Sequence, residues 1–344
     1  MGEQFASPAV TVVTGATGWL GQALVHRLLA DPSRPRLRLL AQSSSEGHQL
    51  ESIGNVEVVI GDITKPDTAA RLLHGAGADV DVIHTVGIIH PKRIRQFLEI
   101  NVNGVRNVAE AALDHGVRRL VHVSSNSPFG TNARPSDTFR ANEPYHPYLN
   151  YGWSKMEGEL AVLDAVAHGL DAAIVRPPWF YGPFQPPRQT TFFRLVRAGR
   201  FPVVGDGEQR RSMVYIDNLV DGVIAAELAP AAKGRCYWVS DARAYTVNEI
   251  VATVGRALHD EGFTVKEPSP PLPAFAGRVA ELGDRVIQRL GRYQQQLHVL
   301  GEMNHTIACD ISATRAELGY EPRVELYEGM RTSIRWCVGQ GLEL

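Results

Sequence analysis

Cysteine is scarce in this chain: Cys236, Cys309 and Cys337 are the only three in 344 residues. Odd in number and far apart, they form neither a disulfide framework nor a metal-ligand spacing. A reducing compartment and no metal site are the expectations. Charge of one sign is lacking too. Thirty-five Lys and Arg stand against 37 Asp and Glu, a net charge of −2, which gives no reason to expect nucleic acid or an anionic membrane surface as partner. No apolar run approaches the roughly 20 residues of a membrane span, and the first apolar strand begins too near Met1 to leave room for a signal peptide. Met1-Gly2 opens like an acylation signal, but Ala6 stands where that signal needs Ser or Thr. Internal repeats and low-complexity segments are missing as well. A soluble, cytoplasmic chain is expected. Its 44% hydrophobic and 21% charged residues are ordinary for a globular protein, and its length suffices for a main domain and a smaller lobe.

What is present centres on one stretch. Val10, Val12 and Val13 form an apolar β-branched run, Thr14-Gly15-Ala16-Thr17-Gly18-Trp19-Leu20-Gly21 comes next, and Leu20, Leu24, Leu28 and Leu29 mark an amphipathic helix behind it. Strand, glycine turn and helix in that order is the setting of a dinucleotide fingerprint. Gly15 permits the sharp turn, Gly18 lets the backbone approach a pyrophosphate, and Gly21 lets helix and strand pack closely. The helix N-terminus adds free N–H groups and a positive dipole end. A glycine turn without any ligand has the same local pattern, so strands and side chains further along the chain must decide between the two.

Leu37 to Leu40 reads as the second strand. About 20 residues past the glycines an NAD site usually carries an acid for the adenosine ribose. Here the loop is Ala41-Gln42-Ser43-Ser44-Ser45, with neither that acid nor an arginine for a 2′-phosphate, so NAD and NADP both stay open. Val56 to Ile60 is the third strand, ending in Gly61-Asp62-Ile63; Asp62 either caps a turn or bonds an adenine amino group. Val80 to His84 is the fourth, with the small-residue end Thr85-Val86-Gly87; His84 is expected to be a hydrogen-bonded core residue. A helix from about Lys92 to His115 contains Asn101-Val102-Asn103-Gly104, poor interior helix residues that predict a kink or a bound water. Arg119 to Val123 is the fifth strand and runs into Ser124-Ser125-Asn126-Ser127. Regular alternation of apolar strands with helices predicts an α/β fold, a Rossmann-type doubly wound parallel sheet, with ligand at the strands' C-terminal rim.

After a polar loop from about Pro128 to Pro147, Tyr151-Gly152-Trp153-Ser154-Lys155 opens a helix that runs to about His168. Tyr151 and Lys155, at i and i+4, project from one helix face. Asp171 to Val175 make the sixth strand, closed by Arg176-Pro177-Pro178. Beyond it the alternation breaks down. The expected division is a dinucleotide-binding domain over 1–180 with a returning segment near 213–240, and a substrate-binding lobe over 181–212 and 241–344. Pro268-Ser269-Pro270-Pro271 marks a boundary. The helix behind it carries an apolar stripe (Leu272, Phe275, Val279, Leu282, Val286, Leu290) expected to pack in the core rather than on a membrane. The last helix, around Met330, Ile334 and Cys337, is expected to dock on the core.

Gly15-x-x-Gly18-x-x-Gly21, Gly61-Asp62, Asn101-Val-x-Gly104, Ser124-Ser125, Tyr151-x-x-x-Lys155, Arg176-Pro177, Gly205-Asp206-Gly207, the Arg211 to Asn218 stretch and Leu318-Gly319-Tyr320-x-Pro322 come in order along the chain. In these it resembles the extended short-chain dehydrogenase/reductase family, the NAD-dependent epimerase/dehydratases. Only the loop after the second strand departs. The resemblance implies NAD, with NADP as alternative. It would be bound by Gly15, Thr17, Gly18, Trp19, Leu20, Gln42, Asp62, Ile63, Thr85, Val86, Gly87, Asn101, Val123, Tyr151, Lys155, Pro177 and Pro178. The resemblance also implies Tyr151 as general acid or base. A free tyrosine titrates near 10, so Lys155 and the positive nicotinamide would favour its phenolate. Lys155 would further hold the nicotinamide ribose, and Ser125 would bond the same substrate oxygen as Tyr151.

The type of reaction is read from absences. Related dehydratases carry an Asp-Glu pair where this chain has Asn126-Ser127, and related 3,5-epimerase/reductases use a cysteine that is missing here. A nucleotide-sugar 4-epimerase remains, with Arg211 on the substrate diphosphate and Ile89 and Asn126 also at the substrate. The alternative is a 3β-hydroxysteroid-dehydrogenase-like alcohol oxidoreductase, suited by the apolar Gly87-Ile88-Ile89 and by Val214-Tyr215-Ile216-Asp217-Asn218. A silent dinucleotide sensor is opposed by the intact Ser125, Tyr151 and Lys155. Relatives suggest a homodimer through the helices starting near Lys92 and Tyr151, a small-molecule substrate, and neither nucleic acid nor membrane as partner.

Overall fold

The computed structural model describes residues 5–34 and 36–344; Met1-Gly2, with the failed acylation signal, lies outside them. Five strands are buried along their whole length: β1 (Val10–Thr14), β2 (Leu37–Ala41), β4 (Val80–His84), β5 (Arg119–Val123) and β6 (Ala172–Arg176). Continuous burial of apolar five-residue runs is what a parallel sheet covered on both faces demands. With β3 (Glu57–Ile60) and β10 (Arg235–Trp238) at the edges, the order is β10-β6-β5-β4-β1-β2-β3, and every pairing is parallel. From β1 the chain winds to one flank and from β4 to the other, which opens the crevice for a ligand at their C-terminal ends.

The two faces carry separate cores. On one, α1 (Trp19–Leu29) and α7 (Ile216–Leu228) bury Leu24, Leu28, Leu219 and Val223, and Leu50 of α2 (Ser44–Glu51) joins them. On the other lie α3 (Pro66–Leu73), α4 (Val105–His115) and α5 (Leu149–Ala167), through Leu72, Val108, Ala112 and Val162. Buried arginines close helix ends, where unpaired carbonyls and the negative dipole end attract a cation. Arg38 donates to the carbonyls of Leu72 (2.9 Å) and His74 (2.8 Å) behind α3. Arg119 donates to Ala226 (3.1 Å) and Glu227 (3.2 Å) at the end of α7.

The expected irregularity near Asn101 takes the form of a π-helical stretch, Phe97–Gly104, feeding α4. Asn101 is fully buried there, and its amide turns away from the helix. It accepts from the Ile88 N–H (2.8 Å) and donates to the Ile88 carbonyl and the Ser154 hydroxyl, both at 3.0 Å.

The second half of the chain supplies β7 (Trp179–Tyr181) paired with β9 (Met213–Tyr215), and β8 (Arg210–Arg211) paired with β11 (Tyr245–Thr246). Around them lie α6 (Thr190–Arg197), α8 (Val247–Asp260), α9 (Ala274–Arg289), α10 (Gln295–Glu302), α11 (Ser312–Leu318) and α12 (Leu326–Gly339). α12 buries Met330, Ile334 and Cys337 as its pattern implies. The carboxylate of Asp241 gathers this half, accepting from Tyr181 Oη (2.8 Å), the Tyr215 N–H (3.0 Å) and Asn218 Nδ2 (2.9 Å).

One expectation is overturned. The stripe of α9 is not in the core: Phe275, Val279, Leu282, Val286 and Leu290 are between 49% and 73% exposed, whereas Gly277, Ala280, Asp284 and Gln288 face inward. The inner face is held by hydrogen bonds, Gln288 donating to Asp284 (3.0 Å) and Asn150 donating to Gln288 (2.9 Å). Burying apolar groups is the commonest use of an amphipathic helix, and here polar contacts outrank it.

The close approach of α1 to the glycine turn gives a contrast between two glycines. A Cβ on Gly21 would lie 1.9 Å from the Gly15 carbonyl oxygen, which is backbone and cannot yield. A Cβ on Gly116 meets nothing within 4 Å, although φ is +69°. Gly21→Ala should therefore lower the unfolding free energy by more than about 4 kcal/mol, or prevent folding, against about 1 kcal/mol for Gly116→Ala. Urea denaturation of the two variants checks this, and equal losses would refute it.

Candidate active site

Gly15 takes φ +76°, and a Cβ there would sit 2.6 Å from Thr85 Oγ1. Gly18 comes next as the N-cap of α1, its N–H given to the Gly15 carbonyl (2.9 Å). No side chain caps this helix and its first turn holds no acid, so its leading N–H groups are available to an anion. A pyrophosphate fits this cradle. Thr85 is fixed beside it by its hydroxyl, which donates to the Thr14 carbonyl (2.8 Å). The Leu20 side chain belongs to the core, so only its backbone can face a ligand. Gln22 bonds the Thr17 carbonyl (3.0 Å), and the Trp19 indole donates to Pro183 (2.7 Å) and rests on Phe180. Trp19 thus ties the glycine turn to the second half of the chain.

The adenosine end holds a residue that the sequence reading missed. Ser43 caps α2 by accepting the Glu46 N–H (3.3 Å), and Glu46 reaches back to accept the Gln42 N–H (2.8 Å). This is a capping box displaced by one residue, since Glu46 reaches the N–H that precedes the N-cap. It sets a carboxylate at the end of β2, where the loop itself offers no acid. Ser43 with Glu46 three positions later was the available signal. Asp62 Oδ1 accepts the Thr64 N–H (2.9 Å), capping its turn, and the Ile63 carbonyl accepts from Asn107 (2.9 Å).

Ser125, at the end of β5, and Tyr151, in the first turn of α5, are neighbours, close enough for the serine hydroxyl to act on the phenol. Ser125 Oγ also lies 3.3 Å from Ser127 Oγ, accepts the Ser127 N–H (3.3 Å), and donates to Asn126 Oδ1 (3.5 Å). Two residues before Tyr151, Leu149 takes a positive φ of 52°. That conformation costs about 1–3 kcal/mol and turns the chain sharply into the helix. Burial pushes the Tyr151 phenol up to about 12; the Ser125 hydrogen bond opposes this and the Glu302 carboxylate adds to it. Lys155 Nζ donates to the Val123 carbonyl (2.9 Å). Burial pulls its pKa down to about 8, against the nearby Glu159. A Cβ on Gly87 would touch Lys155 Nζ (3.6 Å) and Asn101 Oδ1 (3.8 Å), so Thr85-Val86-Gly87 passes close to both. Val123, Lys155, Gly87 and Asn101 are thus brought together, and Pro177 and Pro178 are buried just beyond β6.

Glu159 was also missed. It is one further helical turn from Lys155, the same i+4 step as from Tyr151 to Lys155, and that spacing was its signal. Fully buried, it pairs with Arg176 (2.6 Å) and accepts from Tyr145 Oη (2.7 Å), while the Arg176 guanidinium lies 4.4 Å from the Phe129 ring centre.

Arg211 points inward from β8 rather than into solvent. Its Nη2 donates to the Glu302 carbonyl, and its buried Nε has no partner among the described residues. Burial lowers its pKa, with the Glu302 carboxylate opposing. The Glu302 carbonyl contact sets the end of α10 beside Arg211, and the Glu302 charge acts on both Arg211 and Tyr151. Ile89 is exposed near Ile88, whose backbone Asn101 holds. A cavity of about 580 Å³ lies elsewhere and is lined by none of these residues. Its arginines are already engaged, Arg210 with the Pro135 and Asp137 carbonyls (both 2.9 Å), Arg243 with Glu249, and Arg315 with Glu321 (2.9 Å).

Residues 11–239 match the NAD dependent epimerase/dehydratase family. The chain is 43% identical to the uncharacterized protein y4nL of Sinorhizobium fredii, over 96% of each chain. It is 29% identical to the UDP-glucose 4-epimerase of Mycolicibacterium smegmatis, covering 95% of this chain and 97% of that one. Among solved structures, the UDP-glucuronic acid 4-epimerase of Bacillus cereus in complex with NAD superposes with a TM-score of 0.74 at 20% identity, over 97% of this chain and all of that one.

Behind Lys155 stands an imidazole pair. His84 shares a 2.6 Å hydrogen bond with Thr14 Oγ1 and stacks 5.4 Å from His122, whose ring nitrogens have no partner among the described residues. Burial, with Lys155 nearby, lowers His84 to about 3 and His122 well below its ordinary value. The unfolded chain therefore binds protons below about pH 6.5 that the native state refuses, so stability falls as pH drops from there. Each imidazole contributes a slope of about 1.4 kcal/mol per pH unit. Urea midpoints of His122→Phe between pH 6 and 4 should show a slope smaller by about that amount; an unchanged slope would sink the assignment.

Proposed function

The chain belongs to the NAD-dependent epimerase/dehydratase family, and from that premise we propose that it is a nucleotide-sugar epimerase working through a transient 4-keto intermediate. It is an NAD-dependent enzyme of the extended short-chain dehydrogenase/reductase type. The observation that carries the substrate reading is Arg211. A half-buried guanidinium with a backbone carbonyl as partner and a buried Nε–H unpartnered among the described residues is costly unless an anion completes it. A sugar-nucleotide diphosphate, two anionic groups matched to a guanidinium fork, does so.

The residues divide the work. Ser125 and Tyr151 hold the reacting substrate oxygen between two hydroxyls. Tyr151 Oη takes the proton of the 4-hydroxyl as the carbonyl forms and gives it back as the alcohol re-forms on the other face. Bound NAD would supply the hydride acceptor and donor for the carbon bearing that oxygen, and a ring charge that favours the Tyr151 phenolate. Lys155, held by Val123 and kept charged by Glu159, donates to the nicotinamide ribose. Glu46 supplies the acid for the adenosine ribose diol and repels a 2′-phosphate. The strip Gly87-Ile88-Ile89 favours a second reading, oxidation of an apolar alcohol. A homodimer is part of the proposal, since Leu98, Trp153 and Leu160 are exposed on the π-helical stretch and α5.

Denaturing the purified protein should release near-stoichiometric NAD, because an epimerase restores its cofactor within each cycle. An empty protein that binds NAD reversibly would favour the second reading. Tyr151→Phe should cut turnover by roughly 10²–10⁴-fold with NAD still bound; unchanged turnover would remove Tyr151 from the chemistry. Arg211→Met should raise KM for a nucleotide sugar by about tenfold or more, whereas activity on an apolar alcohol would not depend on it. Glu46→Gln should narrow the preference for NAD over NADP in a binding titration.

A further inference from the structure

The outward face of α9 joins two properties. Its stripe, Phe275, Val279, Leu282, Val286 and Leu290, lies within an arc of about 80° at 100° per residue. The stripe extends over a 16-residue helix, about 24 Å long at 1.5 Å per residue. Leu272 before the helix and Val299 on α10 are also exposed. The charges are sorted by sign. Arg278 and Arg289 are exposed, Arg292 continues them, and Arg285, also exposed, is paired with Glu281 (2.5 Å), while Asp284 is buried and the Glu281 side chain is only 18% exposed. On the helical wheel these arginines succeed one another along one flank of the stripe, and no exposed acid interrupts them. The net charge of −2 hides this local segregation.

An apolar stripe flanked by cations is the pattern of a helix lying in a membrane interface, stripe in the acyl boundary and arginines at anionic headgroups. No helix among the described residues is long and apolar enough to cross a membrane, so the contact is peripheral. We propose that α9 docks this protein on an anionic phospholipid surface. A second copy is the poorer occupant, because an antiparallel two-fold pairing of this face would bring the same arginines against one another. Such docking is independent of the epimerase reading. It replaces the expectation, drawn from net charge, that membranes play no part. The inner face of α9 carries Gln288, which accepts from Asn150, the neighbour of Tyr151, so the docking helix backs directly onto the site.

Flotation of the full-length, NAD-loaded protein with vesicles tests this. Binding to phosphatidylcholine vesicles containing about a third phosphatidylglycerol should exceed binding to pure phosphatidylcholine by about tenfold or more. The double variant Leu282→Glu/Val286→Glu should lose binding by a similar factor with unchanged melting temperature and NAD content. Arg278→Gln/Arg289→Gln should lose the preference for the anionic lipid. Absence of flotation with either vesicle would overturn the proposal, as would wild-type binding by the glutamate variant. A wild-type protein that sediments as a larger species than the glutamate variant, without vesicles, would overturn it in favour of self-association.

Discussion

Glu159 and Arg176 form the contact on which the arrangement of the site depends. Both are buried, and Arg176 bonds both carboxylate oxygens, so the desolvation of two charges is offset by short, multiple hydrogen bonds. The pair seats α5 against β6. Through Tyr145 and the Phe129 ring it also fixes the loop between β5 and α5. Ser125 stands at one end of that loop and Tyr151 at the other, so this anchor helps to set them side by side. The same carboxylate opposes the burial that depresses Lys155. Geometry and charge of the site therefore share one support.

The rest of the site balances burial against charge. Lys155 is buried and Tyr151 and Arg211 are half-buried, and each is shifted in the direction that desolvation dictates. Glu302, reaching in from α10, opposes the shift of Arg211 and reinforces that of Tyr151. The neutral pair His84 and His122 lies behind Lys155, so no second cation competes with it.

The sheet, the glycine turn and the Tyr151–Lys155 pair were legible in the sequence because each rests on local rules: strand periodicity, positive φ, and the i, i+4 face of a helix. The break at Asn101 was legible for the same reason. The orientation of α9 was not, since periodicity identifies a stripe without saying which side a neighbour covers. Gln288 and Asn150, 138 positions apart, decided it. The inward turn of Arg211 rests likewise on the distant Glu302. Glu46 and Glu159 stand at plain helical spacings, but acids at such spacings are common on solvated helix faces. Only their partners, the Gln42 N–H and the Arg176 guanidinium, give them a role.

The last strand of the main sheet also bears on how the chain is made. β6 ends at Arg176, and its outer neighbour β10 begins only at Arg235. Until the ribosome has delivered those intervening residues, β6 is an open edge with unpaired N–H and C=O groups along a wholly buried apolar strand. At about 5–20 residues per second that interval lasts several seconds. The segment between includes Trp179, Phe180, Phe192 and Phe193, aromatic residues that must stay soluble while they wait. A nascent chain of this length is thus the species most exposed to aggregation, and the arrival of Cys236-Tyr237-Trp238 beside Ile174-Val175-Arg176 ends that exposure.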